Sequence, residues 1–238
     1  MFDFKDRLIV VTGAAGNLGS AVAKKFLENG ATVIALDHGI GRVKTLLDHS
    51  GFPGKLIVFD EVDVTDRDVM RRVGEKTRDE IDLVDTLVNT VGGFAMGEAV
   101  HTISPELWQR MMNLNVQSFL VSAEVFIPQM LKKGGGKVIS VGSKASLGGG
   151  AKAGAYAAAK AALLRLTESM AAELKPHNIQ ANCVLPGTID TPENRRAMPD
   201  ANFSKWVAPE QVAEAILFLA SAASNGITGS ALPVYGGS

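Results

Sequence analysis

Two patterns of apolar residues alternate along the chain. Short, nearly continuous apolar runs occur at residues 8–11, 32–36, 56–59, 86–88, 137–141, 179–185 and 231–234. Such runs predict strands buried on both faces of a parallel sheet. Between them the spacing turns helical. Leu18, Val22 and Phe26 recur at every fourth position, and Asn29-Gly30 supplies a stop. Thr65, with Asp68 three residues on, predicts a capping box ahead of Val69 and Val73. Ser104-Pro105 opens a long helix with proline in its first turn. An alanine-rich helix is predicted from about 153 to 174, and Pro209-Glu210 starts the last one. Repeated strand–helix alternation predicts an α/β fold: a Rossmann-type, doubly wound parallel sheet of about seven strands with helices on both faces.

No linker, repeat or low-complexity stretch divides the chain, so one domain is expected over 1–238. A chain of 238 residues can fill one such domain with a proper core. The polar segment 192–206, between a strand and a helix, is expected to be a substrate lid.

Composition narrows the function classes. The formal net charge is −1, and basic residues cluster no further than pairs such as Arg71-Arg72 and Arg195-Arg196, which gives nucleic-acid binding no support. No apolar run approaches a membrane span, and the start lacks a basic segment followed by an apolar one. Cys183 is the single cysteine, which excludes an internal disulfide and fits a reducing, cytoplasmic setting. His38, His49, His101 and His177 are scattered, so no metal site is expected.

The candidate chemistry begins after the first strand, at Thr12-Gly13-Ala14-Ala15-Gly16-Asn17-Leu18-Gly19. Glycines permit a tight turn there, and the helix N-terminus that follows offers free N–H groups to a pyrophosphate. Asp37 ends the second strand, eighteen residues beyond Gly19, where a carboxylate can accept from both adenosine ribose hydroxyls. That acid and the lack of a basic residue in the loop point to NAD rather than NADP. Arg42 is the nearby residue that could reverse this choice. Tyr156 and Lys160 stand four apart on the alanine-rich helix and share a face. An ammonium beside a phenol favours the phenolate and lowers its pKa.

At this point the chain resembles the short-chain dehydrogenase/reductase (SDR) family, in its compact single-domain branch, over nearly its whole length. That branch uses an Asn, Ser, Tyr, Lys tetrad. The matching positions are Asn115, preferred to its neighbour Asn113, then Ser143, thirteen residues before Tyr156, then Tyr156 and Lys160. Asp63-Val64 resembles the family's adenine-contacting pair. Asn89-Thr90-Val91-Gly92 resembles its Asn-Asn-Ala-Gly segment. Pro186-Gly187 through Thr191 resembles the loop that holds the nicotinamide carboxamide.

The resemblance implies that Tyr156 is the acid/base and that Ser143 orients the substrate oxygen. It implies that Lys160 tunes Tyr156 and holds the nicotinamide ribose, and that Asn115 supports a water chain. It implies a small alcohol or ketone as substrate and a homotetramer or homodimer, to which the small residues Ala155, Ala157, Ala158, Ala159, Ala161 and Ala162 are suited. The candidate pocket walls are 91–96, 144–150 and 187–188. Lys144, Lys152, Arg195 and Arg196 could attract an anionic substrate. Sugars, polyols, hydroxy acids, steroids and oxoacyl thioesters all stay open.

Two positions depart from the family. Asn17 replaces the middle glycine of the loop, and the resulting Gly13, Gly16, Gly19 spacing resembles the extended branch. Tyr235 replaces an acid in Val234-Tyr235-Gly236-Gly237. The alternatives are therefore an epimerase or dehydratase that uses NAD transiently, and a non-catalytic cofactor-binding protein.

Overall fold

The computed structural model of the protein describes residues 2–47 and 51–237. Met1 and His49 of the readings above lie outside them. Seven strands form: β1 (Leu8–Thr12), β2 (Thr32–Leu36), β3 (Lys55–Phe59), β4 (Thr86–Asn89), β5 (Gly136–Val141), β6 (Ile179–Pro186) and β7 (Ala231–Val234). They make one sheet in the order β3-β2-β1-β4-β5-β6-β7, every pair parallel. β1 lies between β2 and β4, with Val11 opposite Ala35 on one side and Val88 on the other. The winding direction changes between β1 and β4, and such a switch point leaves a crevice at the carboxyl ends of the strands.

Eight α-helices cover the sheet: α1 (Asn17–Glu28), α2 (Arg42–Leu46), α3 (Arg67–Glu80), α4 (Pro105–Met112), α5 (Ser118–Lys133), α6 (Gly154–Leu174), α7 (Pro192–Ala197) and α8 (Pro209–Ala220). Because strand side chains alternate faces, Ile9 and Val11 of β1 join one core with Val22 and Phe26 of α1 and Val212 and Ile216 of α8. Leu8 and Val10 join the other, with Met70 of α3, Phe119 and Phe126 of α5 and Leu163 of α6. Phe26, Phe119 and Phe126 are among the largest fully buried side chains. Burial of each stabilises the fold by roughly 1.5–3 kcal/mol. Among the described residues no helix is long and apolar enough to cross a membrane.

The caps follow the sequence with one correction. Ser104 Oγ accepts from the Leu107 N–H at 3.3 Å and Pro105 fills the first turn of α4. Thr65 does not cap α3. Asp66 does, accepting from the N–H groups of Asp68 and Val69 at 2.8 and 3.0 Å. An N-cap carboxylate reaches the second and third N–H of its helix, and Asp66 is placed to do so. Thr65 turns back instead and donates its hydroxyl to Asp63 Oδ1 at 2.7 Å. The helix opened by Ser104 is also not uniform. A π-helical segment, Asn113–Gln117, joins α4 to α5.

Candidate active site

The glycine loop leaves β1 through Gly13, whose φ of +67° lies in the left-handed region that favours glycine. The Gly16 N–H closes the turn on Gly13 O at 2.9 Å. A Cβ at Gly19 would stand 2.0 Å from that same oxygen, so only glycine fits there. α1 then begins with no side-chain cap, and the N–H groups of Asn17, Leu18 and Gly19 are those of its first turn. This is a cradle for a phosphate group.

Asp37 fixes the loop to the end of β2. Its side chain is buried, Oδ2 accepts from the Ala15 N–H at 2.9 Å, and Oδ1 accepts from the Gly39 N–H at 2.9 Å. A carboxylate accepts about four hydrogen bonds, so capacity for ribose hydroxyls is left. Arg42 reaches the other side of the same peptide and donates to Ala15 O at 3.4 Å. Gly13, Asp37, Asp63, Val64 and Leu114 line a cleft of about 920 Å³ at the switch point. That volume suits a cofactor-sized ligand.

β4 is tied to β1 beneath the cleft. Thr12 Oγ1 donates to Asn89 Oδ1 at 3.0 Å, and Thr90 Oγ1 donates to Thr12 O at 2.6 Å. Asn89 Nδ2 is a buried donor without a protein partner among the described residues.

Beyond β4 the tetrad positions draw together. Lys160 of α6 is buried, and its Nζ donates to Val141 O at the end of β5 at 2.8 Å. A Cβ at Gly92 would lie 3.0 Å from Lys160 Nζ and 2.9 Å from Asn115 Oδ1, so glycine leaves room for both. Asn115 Oδ1 accepts from the Gly93 N–H at 3.1 Å, while Nδ2 donates to Gly93 O at 3.0 Å and Met111 O at 2.9 Å. The π segment turns this side chain inward. Asn113 is exposed and borders the 920 Å³ cleft instead, and its Oδ1 accepts from Gln109 Nε2 at 2.6 Å. Ser143 follows β5 and is held by its own turn, accepting from the Ala145 N–H at 3.2 Å. Tyr156 lies beside it, close enough for the Ser143 hydroxyl to act on the phenol.

The electrostatics differ from the simple pair read from the sequence. Burial pushes the Tyr156 phenol above its ordinary value, and the Ser143 hydroxyl opposes this only in part. Lys160 is not among the groups that lower it. Burial also brings Lys160 down to about 8, against a smaller opposing effect from the nearby Cys183. Desolvation disfavours each charged form. The free site therefore holds a neutral phenol.

The loop after β6 starts at Pro186, and the Gly187 N–H donates to Val234 O at 3.0 Å. Thr191 caps α7 by accepting from the Asn194 N–H at 3.1 Å. Asn17, the residue that departs from the glycine pattern, donates through Nδ2 to Glu193 Oε2 at 2.7 Å and joins the loop to α7. Tyr235, the other departure, lies 5.3 Å under the Lys144 ammonium. Phe94, within the expected pocket wall 91–96, stands edge-on to Tyr156 with centroids 5.0 Å apart. One neighbour escapes sequence reasoning: Cys183 lies beside Lys160, belongs to no spaced motif and is brought in only by the folded chain.

Residues 7–202 match the short chain dehydrogenase family. The chain is 32% identical over 240 residues to a 3-oxoacyl-(acyl-carrier-protein) reductase of Thermotoga maritima, covering 97% of each. It is 32% identical over 250 residues to an NAD-dependent glycerol dehydrogenase of Listeria innocua, covering 99% of this chain and 95% of the relative. A gluconate 5-dehydrogenase from Burkholderia cenocepacia, solved with NADP and tartrate, superposes with a TM-score of 0.89 at 29% identity, over 99% of this chain and 96% of that one. This chain belongs to the short-chain dehydrogenase family, whose members are oxidoreductases that use a nicotinamide dinucleotide.

Proposed function

We propose that this protein is an NAD(H)-dependent oxidoreductase that interconverts a secondary alcohol and its ketone, with Tyr156 as the acid/base. The observation that carries this reading is the convergence at Gly92, where Lys160 and Asn115 meet, together with the Ser143 hydroxyl beside Tyr156. The residues fit the cofactor: a cradle that admits no side chain at Gly19, an uncapped helix start and the carboxylate of Asp37. Asp63, Val64, Asn89, Gly92, Pro186, Gly187 and Thr191 would complete its site. When bound, the cofactor gives or takes the hydride.

The chain's own residues manage the proton and the substrate oxygen. Tyr156, neutral in the free site, donates its proton to the carbonyl oxygen in reduction and takes one from the alcohol in oxidation. Ser143 hydrogen-bonds the same oxygen. Lys160 stays protonated at pH 7 and places a positive charge beside Tyr156 and the ribose. Asn115 holds Gly93 and the π segment in register with Lys160. Segment 192–206, whose α7 touches Asn17 through Glu193, acts as the lid. The protein works in the cytoplasm as a homotetramer or homodimer.

The test is Tyr156→Phe. Turnover of any accepted ketone should fall by roughly 10²–10⁴-fold. The dissociation constant for NADH, read by its fluorescence, should stay within about threefold, under 1 kcal/mol. Substantial residual turnover removes Tyr156 from the acid/base role. A wild-type protein that binds NADH but turns over nothing supports the non-catalytic reading.

A further inference from the structure

Four large apolar side chains are left open around the candidate site. Phe94, Met96, Leu147 and Met198 are 54, 58, 62 and 38% exposed. An exposed apolar residue alone carries little meaning, but Phe94, Met96 and Leu147 stand on two segments that meet beside one tyrosine, and Met198 stands on the expected lid. Phe94 touches the Tyr156 ring itself. The Gly97 N–H donates to Lys152 O at 2.9 Å, which ties the strand-following segment of Met96 to the segment after Leu147. Leu147 closes the Ser143 turn through its N–H to Lys144 O at 3.2 Å. Met198 ends α7, the helix capped by Thr191.

Three of the four cations that could have received an anionic substrate are engaged elsewhere; Lys152 is the fourth, and among the described residues only its backbone oxygen has a partner, the Gly97 N–H. Lys144 lies over the Tyr235 ring. Arg195 forms a two-point pair with Asp190 at 2.6 and 2.7 Å and stacks on Phe203 at 4.8 Å. Arg196 pairs with Glu193 at 3.3 Å. A carboxylate entering these walls would lose water to apolar side chains and find only Lys152 unpaired among these four cations, and a polyol would lose hydrogen bonds that apolar side chains cannot replace.

Resting on the oxidoreductase reading above, we propose that the substrate is a neutral, largely apolar carbonyl compound, a cyclic or aryl ketone or the matching alcohol. Acids, polyols and anionic thioesters are disfavoured. The polar substrates named for the relatives do not transfer, because function lives in the site and not in the fold.

The protein is assayed with NADH and, in parallel, acetophenone, 4-methylcyclohexanone, 3-oxobutanoate and dihydroxyacetone. The two apolar ketones should exceed the other two in kcat/KM by about a hundredfold. Binding of the same four compounds to NADH-loaded Tyr156→Phe protein, read by saturation-transfer NMR, is the second arm. Apolar ketones that bind there without wild-type turnover would leave this proposal standing and sink the oxidoreductase reading. Preference for the acid or the triol-like ketone in either arm overturns the proposal, and so does no binding of the apolar ketones at millimolar concentration. Met96→Asp and Leu147→Asp change exposed positions and should fold. Each should raise KM for the apolar ketones by about tenfold or more with a smaller change in kcat. Unchanged KM in both variants overturns the proposal as well.

Discussion

Each oxygen of Asp37 accepts one backbone N–H, from Ala15 and from Gly39, so the residue read as a ribose ligand is also a clamp on the glycine loop. A 2′-phosphate would bring a second anion to it. Two unit charges ~4 Å apart repel by about 1 kcal/mol in water and ~4 at an effective dielectric of 20. NAD should therefore beat NADP by about tenfold or more, since 1.4 kcal/mol is already tenfold. Asp37→Asn keeps the shape and removes the charge. It should shift the NADP/NAD ratio of kcat/KM at least about tenfold towards NADP, helped by Arg42 at Ala15 O. It should cost about 1 kcal/mol of stability in a denaturant melt. Equal efficiency of the wild type with both cofactors would overturn the NAD assignment.

Lys160 gives the pH dependence. Its folded value of about 8 lies below its ordinary 10.5. The ammonium is thus lost as pH rises through 8, while Tyr156, shifted up, stays an acid. Ketone reduction should fall above about pH 8, in a limb that a pH–kcat/KM profile detects. The linkage has the opposite sign for stability. The folded chain sheds this proton first, so the group's cost is present below pH 8 and fades towards 10.5. Lys160→Met should then be inactive yet more stable at neutral pH by about 1–3 kcal/mol, a gain that shrinks on titration to pH 10. Tyr156, Lys160 and Ser143 were legible because their spacing is regular. The direction of the Tyr156 shift was not, because it depends on burial among residues such as Phe94 that are remote in motif terms.

At the scale of elements, the seven strands could be read nearly to the residue because each is a short apolar run, buried along the central strands and half-buried along the edge strands β3 and β7. The helix starts were legible where a cap and a proline coincide, as at Ser104-Pro105. They were misread at Thr65, where two capping residues stand side by side. The π segment left no mark, since one wider turn barely disturbs a period of apolar positions. Yet it buries Asn115 beside Gly92 and Lys160 and leaves Asn113 exposed at the cleft. Asn115→Leu keeps the size and strands Gly93 N–H and O together with Met111 O. Thermal or denaturant melts should show a loss of about 2–4 kcal/mol, larger than for Asn113→Leu, which touches only Gln109. Equal losses would show that the inward turn carries no energetic weight.

For the whole molecule, the expected assembly joins copies through the faces of α5 and α6. Ala158 is exposed between the buried Ala157 and Ala159, a flat spot on which a second helix can rest. Light scattering at low micromolar concentration should give two or four times the chain mass of 25.1 kDa, and Ala158→Arg should lower it. A strictly monomeric wild type contradicts the assembly. The packing of α1 against α8 sets a further condition, on birth rather than on catalysis. α1 ends at Glu28, but the helix that covers its apolar face starts only at Pro209. At 5–20 residues per second the ribosome needs roughly 10–40 s to span that gap. Throughout it Val22, Phe26 and Leu27 lack the cover of Val212, Ile216 and Leu217. Until α8 has left the exit tunnel, the nascent chain therefore shows water an apolar stripe of the kind that holding chaperones cover.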